Sequence, residues 1–230
     1  MRASDFPRVR ELHLFAGMAG ENFEALVEAA FLQRFPAHVQ LIREGEPADF
    51  LHVVIEGMVA LTASSASKEA TLGIVRPVST FILAAVITDK PYLKAARTLE
   101  PSLILMLPAE KVREIFAQDV TFARAVVDEL SMRYRDVVRE LRNQTLRNSL
   151  ERLAAWIVRR EAIDGGEGLV TIPYDKRTLA SRLGMTPENL SRNFQLLTEH
   201  GAHVDGRDIT ITDRARLVAL ARPDPLTDSR

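Results

Sequence analysis

The chain has 230 residues, of which 47% are apolar, and a formal net charge of −1. That length admits one large or two medium domains, and the near-neutral balance excludes a uniformly basic nucleic-acid coat, so any DNA-binding surface must be a local patch. There is no cysteine, which removes disulfides, thiolate nucleophiles, cysteine-held zinc and cysteine-ligated iron–sulfur clusters together.

No apolar run reaches the roughly 18 residues of a membrane span, and the N-terminus lacks a signal-peptide pattern, so a cytoplasmic protein with no membrane partner is expected. Asp5 to about Leu32 is predicted to be helical, because "ENFEALVEAAFL" sets Phe23, Leu26, Val27 and Ala30 at three- and four-residue spacing. From Arg34 to Pro77 the pattern changes to short runs rich in Val, Ile, Leu and Thr. Turn signals arrive roughly every ten residues, which marks a sandwich or barrel. "FLHVVIEGMVALTAS" reads as a strand, a glycine turn at Gly57 and a second strand, and "SSASKEA" as a polar hairpin tip. "STFILAAVITD", from Ser79 to Asp89, interrupts the strands. A helix apolar on every face is expected to be buried, against packed neighbours or around a pocket. "KAARTLEPSLILMLPAEK" returns to strand.

From Ala109 the period becomes helical. About Val120 to Arg147 is predicted as one long helix, free of glycine and proline. Ala123, Val126, Leu130, Tyr134, Val137, Leu141 and Thr145 form a stripe at three- and four-residue spacing. Such a stripe serves either a helix lying on its own domain or one paired with its copy. The narrow seam flanked by charge favours a parallel dimer through Val126, Leu130, Tyr134, Val137 and Leu141. "SLERLAAWIVRREAI" is a further helix ended by "DGGEG", and "LVTIPY" a short strand. "HVDGRDITITD" reads as a hairpin turning at Gly206, "RARLVALA" as a closing helix, and "RPDPLTDSR" as a frayed tail.

The most specific pattern is Asp175 to Gly201. Leu179, Ala180 and Leu183 face inward on one helix, Gly184 permits a sharp turn, Thr186 is a good N-cap, and Pro187 fits the first position of a second helix. Leu190, Phe194 and Leu197 hold that helix to a core. Its other face offers Glu188, Asn189, Ser191, Arg192 and Gln195. This is a helix-turn-helix with a wing after it. Arg192 suits guanine and Glu188 an amino group; Ser191 serves either way.

"LASRLGMTPENLSRNFQLL" with "GRDITITD" resembles the DNA-binding domain of the cyclic AMP receptor protein/fumarate–nitrate reduction regulator (CRP/FNR) family. "IREGEPADFLHVVIEGMVAL", with Gly45 and Gly57, is similar to that family's β-roll. The resemblance covers nearly the whole chain. It implies an α+β architecture in three parts: a jelly-roll-type, cyclic-nucleotide-binding-like β-roll over 1–118, a dimerisation helix over 119–148 and a winged helix-turn-helix over 149–230. It implies a homodimer on double-stranded DNA and an RNA polymerase partner. Glu188-x-x-Ser191-Arg192 resembles the fumarate–nitrate reduction branch, whose half-site is TTGAT-like, and Pro187 stands where the cyclic AMP branch has arginine. Arg192 would then read guanine, Glu188 an amino group, and Ser191 would make a thymine-side contact. Lys176, Arg177 and Arg207 would hold phosphates, with Thr186, Asn189 and Gln195 beside the backbone.

Cyclic-nucleotide binders of the family carry Gly-Glu and Arg-Ser where this chain has Leu83-Ala84 and Leu93-Lys94. The ribose-holding glutamate and the phosphate-holding arginine are both missing, which argues against cyclic AMP. The resemblance extends to cysteine-free, nitric-oxide-responsive relatives. Phe81, Ile82, Leu83, Ala84, Ala85, Leu93 and Lys94 are the candidate effector pocket, for haem or a small apolar or aromatic acid; a filled core without ligand is the alternative. His13 and His52 are the candidate haem ligands, and no other metal is expected. His200 and His203 flank the wing and read as surface residues. A cupin-type enzyme is the rival class, but cupins need clustered His and Glu on adjacent strands, and no His-x-His occurs.

Overall fold

A computed structural model describes residues 6–66 and 68–228. It divides into two compact units, Met1–Arg133 and Tyr134–Arg230, with the division inside one long helix.

The first unit opens with three short helices: α1 (Phe6–Arg10), α2 (His13–Ala16) and α3 (Gly20–Glu28). The continuous helix expected to about Leu32 is therefore corrected; Asp5 lies outside the described residues. The chain bends after α2, where the Ala19 amide donates to the Asp119 carboxylate at 2.9 Å. Phe31 and Leu32 already belong to a strand, β1 (Phe31–Phe35). There follow β2 (Gln40–Ile42), β3 (Phe50–Glu56), β4 (Val59–Ser65), β5 (Lys68–Val75), β6 (Ser79–Phe81), helix α4 (Leu83–Thr88), β7 (Ala95–Thr98), β8 (Ser102–Pro108) and α5 (Ala109–Gln118). They make two four-stranded antiparallel sheets, ordered β1-β8-β3-β6 and β2-β7-β4-β5.

The strands on either side of Gly57 lie in different sheets, so this turn is a corner between sheets. Gly57 has φ +88, and a Cβ there would stand 2.6 Å from the Pro101 carbonyl oxygen and 2.7 Å from Ser102 Cα. Only glycine meets both demands. β3 is buried from Leu51 through Ile55 on both its faces, with α4 and α5 among its neighbours. That is why it reads as an unbroken apolar run and does not alternate.

The segment Ser79 to Asp89 is not buried on all sides. Phe81, Leu83 and Val86 enter the core, Ile82 and Ala85 pack at its edge, and Ala84 and Thr88 face solvent. A short helix laid flat on a core needs only one apolar face; alanine is small enough to leave on the other.

Helix α6 (Val120–Leu146) begins in this unit. Asp119 caps it, accepting from the Phe122 amide at 2.9 Å and from Asn22 at 3.0 Å. Hydrogen bonds, the Asn22 one first, hold this carboxyl below the usual aspartate range. Val126 is 1% exposed and belongs to the core, so its expected place in the dimer seam is corrected. Val127, at 57% exposed, points outward in its stead. The exposed residues Val120, Val127, Tyr134 and Leu141 stand seven apart, with half-buried Leu130 and exposed Val137 between them. This is the a/d pattern of a coiled-coil face.

The second unit continues with α7 (Ser149–Asp164), β9 (Leu169–Thr171), α8 (Lys176–Arg182), α9 (Pro187–Leu196), a 3-10 turn at Leu197–His200, β10 (Ala202–Asp205), β11 (Asp208–Ile211), α10 (Arg214–Ala221) and α11 (Pro225–Asp228). Asn148 and Glu151 form a reciprocal capping box at the start of α7. The sheet order is β10-β11-β9. The expected frayed tail is also corrected: residues through Asp228 are ordered, and Asp224 and Asp228 pair with Arg142 and Arg147.

Candidate nucleic-acid interface and effector region

The helix-turn-helix is assembled by local chemistry. Asp175 caps α8 by accepting from the Thr178 amide at 2.7 Å. Gly184 takes φ +64 in the turn. Thr186 caps α9, accepting from the Asn189 amide at 3.2 Å, and Pro187 starts the helix. Leu179, Ala180, Leu183, Leu190, Phe194 and Leu197 are all buried. Helix α9 is thereby held by one face.

Its other face is open. Glu188, Ser191, Arg192 and Gln195 are exposed, and Asn189 is half-buried. Hydrogen bonds at the head of α9, first to its own amide and then to Thr186, hold the Glu188 carboxyl below the usual glutamate range; Arg192 adds to this. Glu188 is thus an ionised acceptor at a helix N-terminus, and Arg192, one turn on, is a donor fork. Ser191 Oγ donates to the Pro187 carbonyl at 3.0 Å. That leaves Ser191 with lone pairs and a Cβ methylene, but no proton for a thymine oxygen.

Exposed cations flank this face. Lys176 Nζ lies 5.2 Å from the Phe194 ring centroid, and Arg177 is exposed beside it. Arg207 stands in the β10–β11 turn and donates through Nε to the Ile172 carbonyl at 2.9 Å, which ties the wing to the end of β9. The Thr186 hydroxyl is taken up by the cap and by Glu188. His203 is exposed and His200 half-buried. No group of three or more His, Cys, Asp or Glu among the described residues is placed to hold a metal.

The seven residues expected to line an effector pocket do not share one environment. Phe81 and Leu83 are core residues; Ile82, Ala85 and Lys94 are half-buried. Leu93 is 86% exposed and Ala84 also faces solvent, so both are corrected as pocket residues. Leu93 lies in the link between α4 and β7, where nothing covers it. Burial, and then Arg133, holds the Lys94 amine below the usual lysine range. His52 is 4% exposed and stacks on Phe81. Burial holds its imidazole down at about 4, against a backbone hydrogen bond at Phe50 that works the other way. His52 Nδ1 has no hydrogen-bond partner among the described residues. His13 is exposed.

Two residues that sequence reasoning missed bear on the interface. Arg152 donates to the Leu183 and Gly184 carbonyls at the turn, and Asp228 receives Arg147 at the end of α6. Their partners lie 31, 32 and 81 positions away. No local pattern announces such bonds.

Residues 32–119 match the cyclic nucleotide-binding domain model and residues 151–220 the Crp-like helix-turn-helix domain model. The transcriptional activator protein FnrL of Cereibacter sphaeroides is 26% identical over 235 residues, covering 97% of this chain and 93% of the relative. The solved structure of DNR from Pseudomonas aeruginosa is 26% identical with a TM-score of 0.51, over 96% of this chain and 99% of that one. FixK2 from Bradyrhizobium japonicum shares the fold at a TM-score of 0.71 and 20% identity, over 83% and 96%. The relatives are regulators, and no helix among the described residues is long and apolar enough to cross a membrane. With both domain models matched in order and a winged helix-turn-helix displaying an open reading face, the chain belongs to the CRP/FNR family of DNA-binding transcriptional regulators.

Proposed function

We propose that the protein acts as a cytoplasmic homodimer on a palindrome with TTGAT-like half-sites, under an effector that is not a cyclic nucleotide, and works with RNA polymerase. The observation that carries the DNA reading is the exposed trio of Glu188, Ser191 and Arg192 on a helix whose opposite face is buried. Arg192 forks onto guanine, ionised Glu188 accepts from a cytosine or adenine amino group, and the Ser191 Cβ packs on a thymine methyl. Lys176, Arg177 and Arg207 hold phosphates, with Asn189 and Gln195 at the groove edge. Dimerisation through Val127, Leu130, Tyr134, Val137 and Leu141 gives two helices to two half-sites.

Ala84 and Leu93 stand where a nucleotide needs a carboxylate and a guanidinium fork, and Lys94 beside Leu93 offers a charge without the fork, which supports a different effector. Haem does not fit the residues present. His13 lies on the surface, and His52 is packed flat on Phe81 with Phe50 across its edge. The effector is a small apolar or aromatic acid, admitted between α4 and its neighbours near Lys94. Regulation without any ligand is favoured by one fact: Phe81, Leu83 and Val86 already pack in the core.

Fluorescence anisotropy with a TTGAT-type palindrome and a scrambled duplex, at low and at physiological salt, tests the DNA reading. Preference for the palindrome by at least about 10-fold is expected, a difference of about 1.4 kcal/mol. Equal affinity for both duplexes at either salt would overturn it.

A further inference from the structure

The turn of the helix-turn-helix is fastened to the end of α6 by one side chain. Arg152, in the first turn of α7, donates to the carbonyls of Leu183 at 2.8 Å, Gly184 at 3.3 Å and Arg147 at 2.6 Å. The carbonyls at a helix end lack partners within the helix, and a guanidinium fork satisfies several at fixed angles. Arg182 of α8 adds an ion pair to Glu140 of α6 at 3.3 Å.

The C-terminal segment grips the same junction. Asp228 receives both terminal nitrogens of Arg147 and pairs with Arg159 at 3.2 Å. Arg147 is buried, and also donates to Asn143 Oδ1 at 3.0 Å and to the Arg222 carbonyl at 2.9 Å. Asp224 pairs with Arg142 at 2.8 Å. The chain of contacts therefore runs from Asp228 to Arg147, from the Arg147 carbonyl to Arg152, and from Arg152 to the turn before the recognition helix. None of these residues lies on the base-reading face. Removing Asp228 would leave a buried guanidinium short of its anion, so the junction must rearrange around it.

We propose that Asp228, acting through Arg147 and Arg152, is a positioning residue that sets the angle between the C-terminal half of α6 and the recognition helix, and with it the half-site spacing the dimer accepts. The inference rests on the dimeric DNA reading above. Spacing is the readout because each winged helix must meet its groove from a fixed place on α6.

The experiment uses the full chain, Asp228→Asn and Arg152→Lys, with palindromes whose half-site spacing is stepped by single base pairs. Arg152→Lys keeps the charge but not the fork. Wild type is expected to lose at least about 10-fold in affinity for one base pair of misspacing. Each variant is expected to bind the best operator several-fold more weakly, yet to lose less than about 3-fold on the same misspacing, with an unchanged salt slope because the phosphate-holding cations remain. Folded variants that keep the wild-type spacing penalty, or weaken all operators equally, would overturn the positioning role. Loss of the folded state in both variants would assign the network to folding and overturn it too. Failure of wild type to prefer any palindrome would instead sink the DNA reading, and this inference with it.

Discussion

His52 and Phe81, partners across β3 and β6, stack with ring centroids 5.1 Å apart and planes 27° apart. The contact joins the sheet to the segment leading into α4, and it needs a neutral imidazole. Burial lowers the folded-state value to about 4 from the ordinary 6.5. Between those two values the unfolded chain binds the extra proton, so stability rises with pH across that window. It is fully present above 6.5 and is lost as the pH falls toward 4. The total loss across that window is on the order of 3 kcal/mol. Urea unfolding of the wild type between pH 7.5 and 4.5 should show this slope, and His52→Phe should flatten it.

The outward register of α6 separates two neighbouring valines. Val127→Glu, with Tyr134→Glu as a second variant, should yield a monomer by light scattering whose thermal midpoint no longer depends on protein concentration. Val126→Ala should do the reverse. It should stay dimeric and lose roughly 1–3 kcal/mol from a core cavity. If Val126→Ala alone broke the dimer, the register assigned to the seam would be wrong.

On the recognition helix, Arg192→Ala should cost about 1–3 kcal/mol of discrimination at the guanine position. Ser191→Ala should matter little, because the Ser191 proton already goes to Pro187 and alanine keeps the methyl contact. Competition binding with single-base operator variants measures both. A loss of thymine preference in Ser191→Ala as large as the guanine loss in Arg192→Ala would show that the hydroxyl itself reads a base.

Haem added to the purified protein should give no stoichiometric Soret band, since His13 is exposed and the His52 ring is closed in by Phe81 and Phe50. A tight one-to-one band that vanished in His52→Ala would require the aromatic stack to open and would reverse this assignment.

What the sequence made legible follows the range of the forces. The helix-turn-helix was readable because Gly184, Thr186 and Pro187 act within a few residues of one another, and their expected roles match the geometry. The two sheets were readable from period and turns, but not the passage between sheets at Gly57, which depends on Pro101 and Ser102 far along the chain. The stripe on α6 was readable as a stripe. Strict four-three alternation from Ala123 runs through Val127, whereas Val126 puts two fours in succession, and packing at the head of the helix sides with Val127. The tail is not legible in the sequence, because two prolines suggest fraying. Pro225 instead opens a helical turn, and Asp224 accepts from the Leu226 amide at 2.9 Å. The effector region was least legible, since an apolar run looks the same whether it lines a pocket or fills a core.

Selection of binding sites from a pool of random duplexes by the full-length protein tests the central claim most directly, because it presupposes neither half-site nor spacing. The account predicts enrichment of a two-fold symmetric sequence with TTGAT-like arms. The guanine of each arm should be lost when Arg192→Ala is used in place of wild type. Enrichment of sequences without two-fold symmetry, or the same guanine retained by Arg192→Ala, would contradict it.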